Sequence, residues 1–260
     1  MKKLIALTLA LVMMALCLTA CGGSKTESDL EFIKDKGVLV VGITDYAPMD
    51  YKDDNGEWTG FDAELSRLFA EELGVDCEFF VLADWGKKFF ELDAKNVDCI
   101  WNGMTIDENV LSNTSCSDPY VRNAQVVVMK ADALEAYATV ESLAGLTFAV
   151  ESGSAGEAAL ADIGITDYVA VQDQGAAVME VAAGTSDACV IDITMANAMT
   201  GEGTSYADLG YSLALTEEEY GVGFRKESDV TAVFNAFMDE MKANGTLDEL
   251  AQKYSLTLSE

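Results

Sequence analysis

Gly37-Val-Leu-Val-Val-Gly42, Gly60-Phe-Asp-Ala-Glu-Leu-Ser-Arg-Leu-Phe-Ala-Glu-Glu-Leu-Gly74 and Cys77-Glu-Phe-Phe-Val-Leu82 follow one another early in the chain. The first is an unbroken apolar run between glycines, as a strand buried on both faces requires. The second places apolar residues at 61, 65, 68, 69 and 73, which share one helical face, and ends on a glycine stop. The third reads as a strand again. Trp85 to Ala94 then reads as a helix and Val97 to Trp101 as a third strand. Strand, helix, strand, helix, strand predicts a parallel sheet with helical crossovers, hence an α/β fold.

The pattern restarts further on. Gln125-Val-Val-Val-Met129 is a strand run, as are Leu146-Thr-Phe-Ala-Val150, Tyr168-Val-Ala-Val171 and Ala188-Cys-Val-Ile191. Helices are expected between the last three, from about Ser154 and over about Gly175 to Gly184. Val230 to Tyr254 reads as two helices broken at Asn244-Gly245. The chain therefore holds two α/β units of similar length. The second is inserted in the first if the closing helices return to unit one, which the pattern leaves open.

Composition narrows the function. The 260 residues carry 16 basic and 45 acidic side chains, a formal net charge of −29. Such a chain is repelled by phosphates and anionic headgroups, which argues against DNA, RNA or heparin partners. Half of the residues are hydrophobic, which excludes a disordered acidic tail. There is no histidine, so the commonest general base and metal ligand is absent, and no cofactor or metal is expected. Cys77, Cys99, Cys116 and Cys189 are widely spaced, with no C-x-x-C pair. Three of them sit in or beside apolar runs (Cys77, Cys99 and Cys189), and buried free thiols are expected.

Met1-Lys2-Lys3, an uncharged run from Leu4 to Leu16 and small residues before Cys21 make a secretory signal. The apolar run is shorter than the roughly 20 residues of a membrane-spanning helix. Leu18-Thr-Ala-Cys21 followed by Gly22-Gly23 resembles the bacterial lipoprotein signal. That resemblance implies loss of residues 1–20, acylation of Cys21, and a tether to the outer face of the cell membrane through a polar linker, residues 21–29. A Gram-positive type of cell is expected, since there an unanchored binder would drift away.

Further segments, in order, carry a wider resemblance. Gly60-Phe-Asp-Ala-Glu-Leu65 is similar to a G-F-D-x-D/E-L helix start, and Trp85 through Asp98 to W-x-x-x-I-P-x-L-x-x-x-K-x-D, with Phe90 for the proline and Asn96 for the lysine. Asn102-Gly-Met-Thr-Ile106, Ser117-Asp-Pro-Tyr120, Tyr220-Gly-Val-Gly-Phe-Arg-Lys226 and Asn244-Gly-Thr246 with Tyr254 complete the series. Their order over most of the mature chain resembles the extracellular solute-binding proteins of ABC importers, polar amino acid family. The resemblance implies a two-lobed periplasmic-binding-protein-like (type II) fold, each lobe a mostly parallel sheet flanked by helices. Lobe one would be 30–119 plus 221–260 and lobe two 125–216, with hinge strands near 120–124 and 217–220. It further implies a monomer that captures a small polar solute, an amino acid or amine, by closing on it, and hands it to an ABC permease with its ATPase.

Ligands of open α/β sheets sit at the carboxyl ends of strands. Tyr46 after the first strand and Trp85 offer aromatic faces, suited to an apolar stem or a cation. Asn102, Gly103 and Thr105 follow the third strand, the asparagine and threonine as hydrogen-bonding side chains and the glycine as a point of close backbone approach. Ser154 and Ala155 open a helix whose N–H groups can receive an anion. Asp192 ends an apolar strand, where an unpaired carboxylate is costly. The resemblance gives it the ligand's ammonium, and capping of the next helix is the alternative. The family's arginine, five residues beyond the Thr, is here Val110, and valine cannot replace a bidentate guanidinium. The resemblance also places Glu151, a further carboxylate, at a position facing the cleft. Lys87, Lys88 or Arg122 can supply a missing positive charge. The expected ligand is thus more cationic than an ordinary α-amino acid, or rests its carboxylate on backbone N–H groups. A sensory module, with no signalling segment after Glu260, and a dehydratase-like enzyme are the alternatives. An enzyme would have only Glu151 and Asp192 as acid and base, so catalysis is not expected.

Overall fold

The computed structural model describes residues 28–260, so the signal, Cys21 and residues 21–27 of the expected linker lie outside the described residues. In chain order the strands are β1 (Val38–Ile43), β2 (Tyr51–Lys52), β3 (Trp58–Thr59), β4 (Asp76–Val81), β5 (Cys99–Thr105), β6 (Ser115–Cys116), β7 (Val121–Asn123), β8 (Gln125–Lys130), β9 (Phe148–Glu151), β10 (Tyr168–Val171), β11 (Ala188–Asp192), β12 (Leu209–Ala214) and β13 (Glu218–Phe224). The first sheet runs β4-β1-β5-β13-β6 and the second β10-β9-β11-β8-β12, each the centre of a lobe. In the first, β1 is parallel to β4 and β5, while β13 is antiparallel to β5. In the second, β9 is parallel to β10 and β11, while β8 is antiparallel to β11 and β12. The parallel core of each sheet is what the alternation of strand and helix predicts. The antiparallel additions are strands that enter from the other lobe or from its edge, without a helical crossover to align them.

The helix Phe61–Leu73 shows how local sequence sets this packing. Gly60 enters it at φ 121°, where a Cβ would lie 2.2 Å from the Met49 carbonyl oxygen, so no other residue fits. Gly74 ends it in the left-handed conformation. Between them Phe61, Leu65, Phe69 and Leu73 are buried. Burying each such side chain contributes roughly 1.5–3 kcal/mol. Phe69 packs edge-on to Phe234, at 5.2 Å between ring centroids, and to Trp101 at 6.5 Å. Phe234 belongs to the helix Val230–Ala243, and Tyr254 of the helix Thr246–Tyr254 meets Phe61. The closing helices therefore pack on the first sheet's helix. The expected helix from Trp85 begins as a 3-10 turn, Trp85–Lys87, because Asp84 accepts the Gly86 N–H at 3.0 Å, and becomes α-helical over Lys88–Asp93.

Two chain segments connect the lobes, and they pair. Asn123, Arg122 and Val121 of β7 lie opposite Glu218, Glu219 and Tyr220 of β13 in antiparallel register. Arg225, just past β13, is buried and pairs with Asp29 at 2.9 Å, while also donating to the Val97 carbonyl at 2.7 Å. It pins the first helix, Asp29–Lys36, against the sheet. The four described cysteines are free. Cys99 and Cys189 are buried as expected, whereas Cys77 and Cys116 are half-buried, since β4 and β6 are edge strands.

Candidate functional site

The carboxyl ends of β1, β5, β9 and β11 face one another across a cavity that is partly continuous with solvent. Tyr46, Trp85, Asn102, Gly103, Thr105, Glu151, Ser154, Ala155 and Asp192 all line it. The structure thus brings together the nine side chains singled out from the sequence, the first five from one lobe and the rest from the other.

On the first lobe, Tyr46 is buried and its hydroxyl is shared with Thr194 of the other lobe and with Tyr220, each at 2.5 Å. Asn102 is committed within its own lobe. Its Oδ1 accepts from the Thr44 N–H at 3.0 Å and hydroxyl at 2.6 Å, and its Nδ2 donates to the Thr44 carbonyl at 3.1 Å and to Asp50 at 2.7 Å. An amide has no further capacity, so this side chain builds the cavity floor rather than offering bonds to a solute. Gly103 also differs from its expected use. A Cβ there would lie 2.6 Å from the Tyr46 ring and 3.1 Å from Tyr220, so the close approach it permits is to two tyrosines. Its N–H donates to Asp62 at 2.7 Å. The Thr105 hydroxyl donates to Glu218 at 2.7 Å.

Lys88 is the cation that reaches the cavity. Its Nζ lies 4.6 Å from the Trp85 ring centroid and donates to the Trp85 carbonyl at 3.4 Å and to the Gly153 carbonyl of the other lobe at 3.3 Å. Burial pulls this ammonium down to about 8, against the opposing pull of Asp107 and Glu151. Lys87 instead pairs with Asp84 on the surface, and Arg122 with Glu260. Neither lines the cavity.

On the second lobe, Ser154 caps the helix Ala155–Asp162 by accepting the Glu157 N–H at 3.2 Å, and Glu157 accepts the Gly153 N–H at 2.8 Å in return. The Ala155 and Gly156 N–H groups of the first turn have no intrahelical partner. Asp192 does not cap the helix Ile193–Met199 with its side chain. It accepts instead from the amides of Asn123, Gln125 and Gln174, the Gln125 bond at 2.7 Å. Asn123 and Gln125 each donate also to Glu218, at 2.6 and 2.7 Å, so two amides bridge two carboxylates at the base of the cavity. Burial, reinforced by Glu218, raises Asp192 to about 7. Glu151 is 4% exposed, and its Oε1 has no hydrogen-bond partner among the described residues. Burial raises it to about 8, with Asp192 and Asp173 adding to the effect.

A model of bacterial extracellular solute-binding proteins, family 3, matches residues 39–257. The chain belongs to this family. It is 30% identical to the arginine-binding extracellular protein ArtP of Bacillus subtilis (strain 168), covering 98% of each chain. A mutant of ArgBP from T. maritima superposes with a TM-score of 0.81 at 32% identity, over 87% of this chain and 98% of that one. The ancestral amino acid-binding protein AncCDT-1, a precursor of cyclohexadienyl dehydratase, gives 0.79 at 30% identity, over 87% and 99%. The architecture is the two-lobed type II periplasmic-binding-protein fold, with sheets flanked by helices. Where the family resemblance places an arginine, Val110 is buried against the cavity, and its N–H donates to Asp107 at 2.6 Å.

Gln174, which both holds Asp192 and lines the cavity, Glu218 and the buried pair Asp50 and Asp62 were not singled out from the sequence. Asp62 stands in the Gly60-Phe-Asp motif, and that motif is the signal that points to it.

Proposed function

We propose that the chain is the solute-capturing component of an ABC importer, and that its solute is a small cationic amino acid or amino-acid-like compound taken up by hinge closure. The carrying observation is the charge of the cavity wall. Asp45, Asp107, Glu151 and Asp192 line it against one ammonium, Lys88. In this reading Asp192 receives the solute's ammonium in a charge-assisted bond. Tyr46 and Trp85 wall the site, and Glu151 faces a second positive group. Ser154 and Ala155 present helix N–H groups to an anionic part where the solute has one. Lobe one comprises 30–119 and 221–260, lobe two 125–216, and the paired segments near 120–124 and 217–220 are the hinge. Solute that touches both lobes shifts the population toward the closed form, which the permease reads. Glu151 and Asp192 act as counter-charges with no catalytic step, and lipid on Cys21 keeps the monomer beside its permease. The arginine-binding relatives support the solute class.

Calorimetric titration of the mature chain with arginine, lysine, ornithine, glutamate and aspartate tests the proposal. The basic amino acids are expected to bind and the acidic ones not. Tight binding of glutamate or aspartate overturns it.

A further inference from the structure

We infer that the cavity recognises its solute through cationic groups alone and accepts amines that lack a carboxylate, namely linear diamines and decarboxylated basic amino acids. The inference rests on the solute-binding reading of the same cavity and narrows its solute class.

The argument is an inventory of donors. A carboxylate in this cavity needs N–H or O–H groups to replace its water. On the first lobe those at hand, the Asn109 amide apart, already serve resident anions or carbonyls. The Asn102 amide donates to Asp50 and the Thr44 carbonyl, and the Gly103 N–H to Asp62. The Thr105 hydroxyl donates to Glu218 and the Val110 N–H to Asp107. Lys88 donates two of its three N–H groups to carbonyls at the seam between the lobes. On the second lobe the amides of Gln174, Asn123 and Gln125 all donate to Asp192. What remains for an anion is one Lys88 N–H, the Asn109 amide and the first turn of the helix Ala155–Asp162.

The acceptor side is the reverse. Glu151 is buried beside the cavity with Oε1 unpartnered among the described residues. An α-carboxylate would join a wall that already has four carboxyl groups, Asp45, Asp107, Glu151 and Asp192. Each like-charge contact at close range opposes binding. A bidentate arginine normally offsets that cost, and Val110 supplies neither charge nor fork. An amine without a carboxylate meets mainly acceptors, with Lys88 as the one opposing charge among the described lining residues.

The test is calorimetry on the mature chain with matched pairs: arginine and agmatine, ornithine and putrescine, lysine and cadaverine, with glutamine and glutamate alongside. Each amine is expected to bind at least as tightly as its parent amino acid. A parent that binds more than roughly tenfold tighter than its amine in every pair overturns the inference. Binding of glutamine or glutamate with no amine bound also overturns it but leaves solute capture standing, while silence across the whole panel overturns both. Glu151→Gln keeps the shape and removes the charge. It is expected to weaken amine binding at least roughly tenfold, and unchanged affinity would overturn the role given to this carboxylate.

Discussion

Asp192 and Glu151 end neighbouring strands of one sheet, and both hold protons more tightly than a solvated carboxyl because burial disfavours their charge. A cation that pairs with them must displace those protons. Affinity for a cationic solute is therefore predicted to rise as pH increases through about 7 to 8, the values of Asp192 and Glu151. Asp173 adds to the rise at Glu151 and Glu218 to that at Asp192, while Lys88 opposes it at Glu151. Titrations in buffers of different ionisation enthalpy would count the released protons, and affinity that stays flat between about pH 6 and about pH 8.5 would remove these groups from the binding step. Asp192→Ala is predicted to weaken binding by about 2–5 kcal/mol, since the solute's ammonium would be left buried without its counter-charge. Equal affinity of the variant and the parent would take Asp192 out of the site.

Where the lobes touch, the turn after β9 meets the turn that carries Trp85. Gly153 has φ +73°, and a Cβ on it would lie 2.6 Å from the Gly86 Cα. Gly153→Ala is predicted to cost roughly 1–2 kcal/mol of stability through its left-handed backbone and to weaken solute binding by more than that, because the seam can no longer close. Urea denaturation and calorimetry on the same variant separate the two effects, and an affinity loss no larger than the stability loss would argue against a closing seam here. A second element-scale contact is Arg225, which joins the first helix to the sheet through Asp29 and the Val97 carbonyl. Arg225→Ala leaves Asp29 and Asp98 without their guanidinium and is predicted to destabilise the fold by about 3–5 kcal/mol in urea denaturation, far from the cavity.

Over the whole molecule, buried carboxyls set the response to pH. Asp62 is raised to about 7, Asp192 to about 7 and Glu151 to about 8, and Asp50 is also raised, in each case mainly by burial. The unfolded chain releases these protons near the ordinary value of about 4. Between there and about 8 the folded state binds more protons than the unfolded state, so stability falls as pH rises through that window. The Tm of the solute-free protein is predicted to drop from mildly acidic to mildly alkaline pH. A Tm that climbs over the same range would contradict this proton linkage.

What the sequence by itself determined is local. Periodicity placed the parallel strands and their helices, and the rule that solutes meet strand ends, together with the family resemblance, led to Tyr46, Trp85, Asn102, Gly103, Thr105, Glu151, Ser154, Ala155 and Asp192, which share one cavity. Residue type also made the cavity acidic, and the family resemblance made Val110 a departure. Tertiary structure decided how those groups are occupied. Gly103 donates to Asp62, 41 positions away, and Thr105 to Glu218, 113 positions away. Such partners leave no trace in a local window, because each is fixed only when separate strands are brought edge to edge. For the same reason the sequence left Lys87, Lys88 and Arg122 as equal sources of positive charge. Burial is a property of the packed lobes, and packing turned Lys88 inward and left the other two paired at the surface.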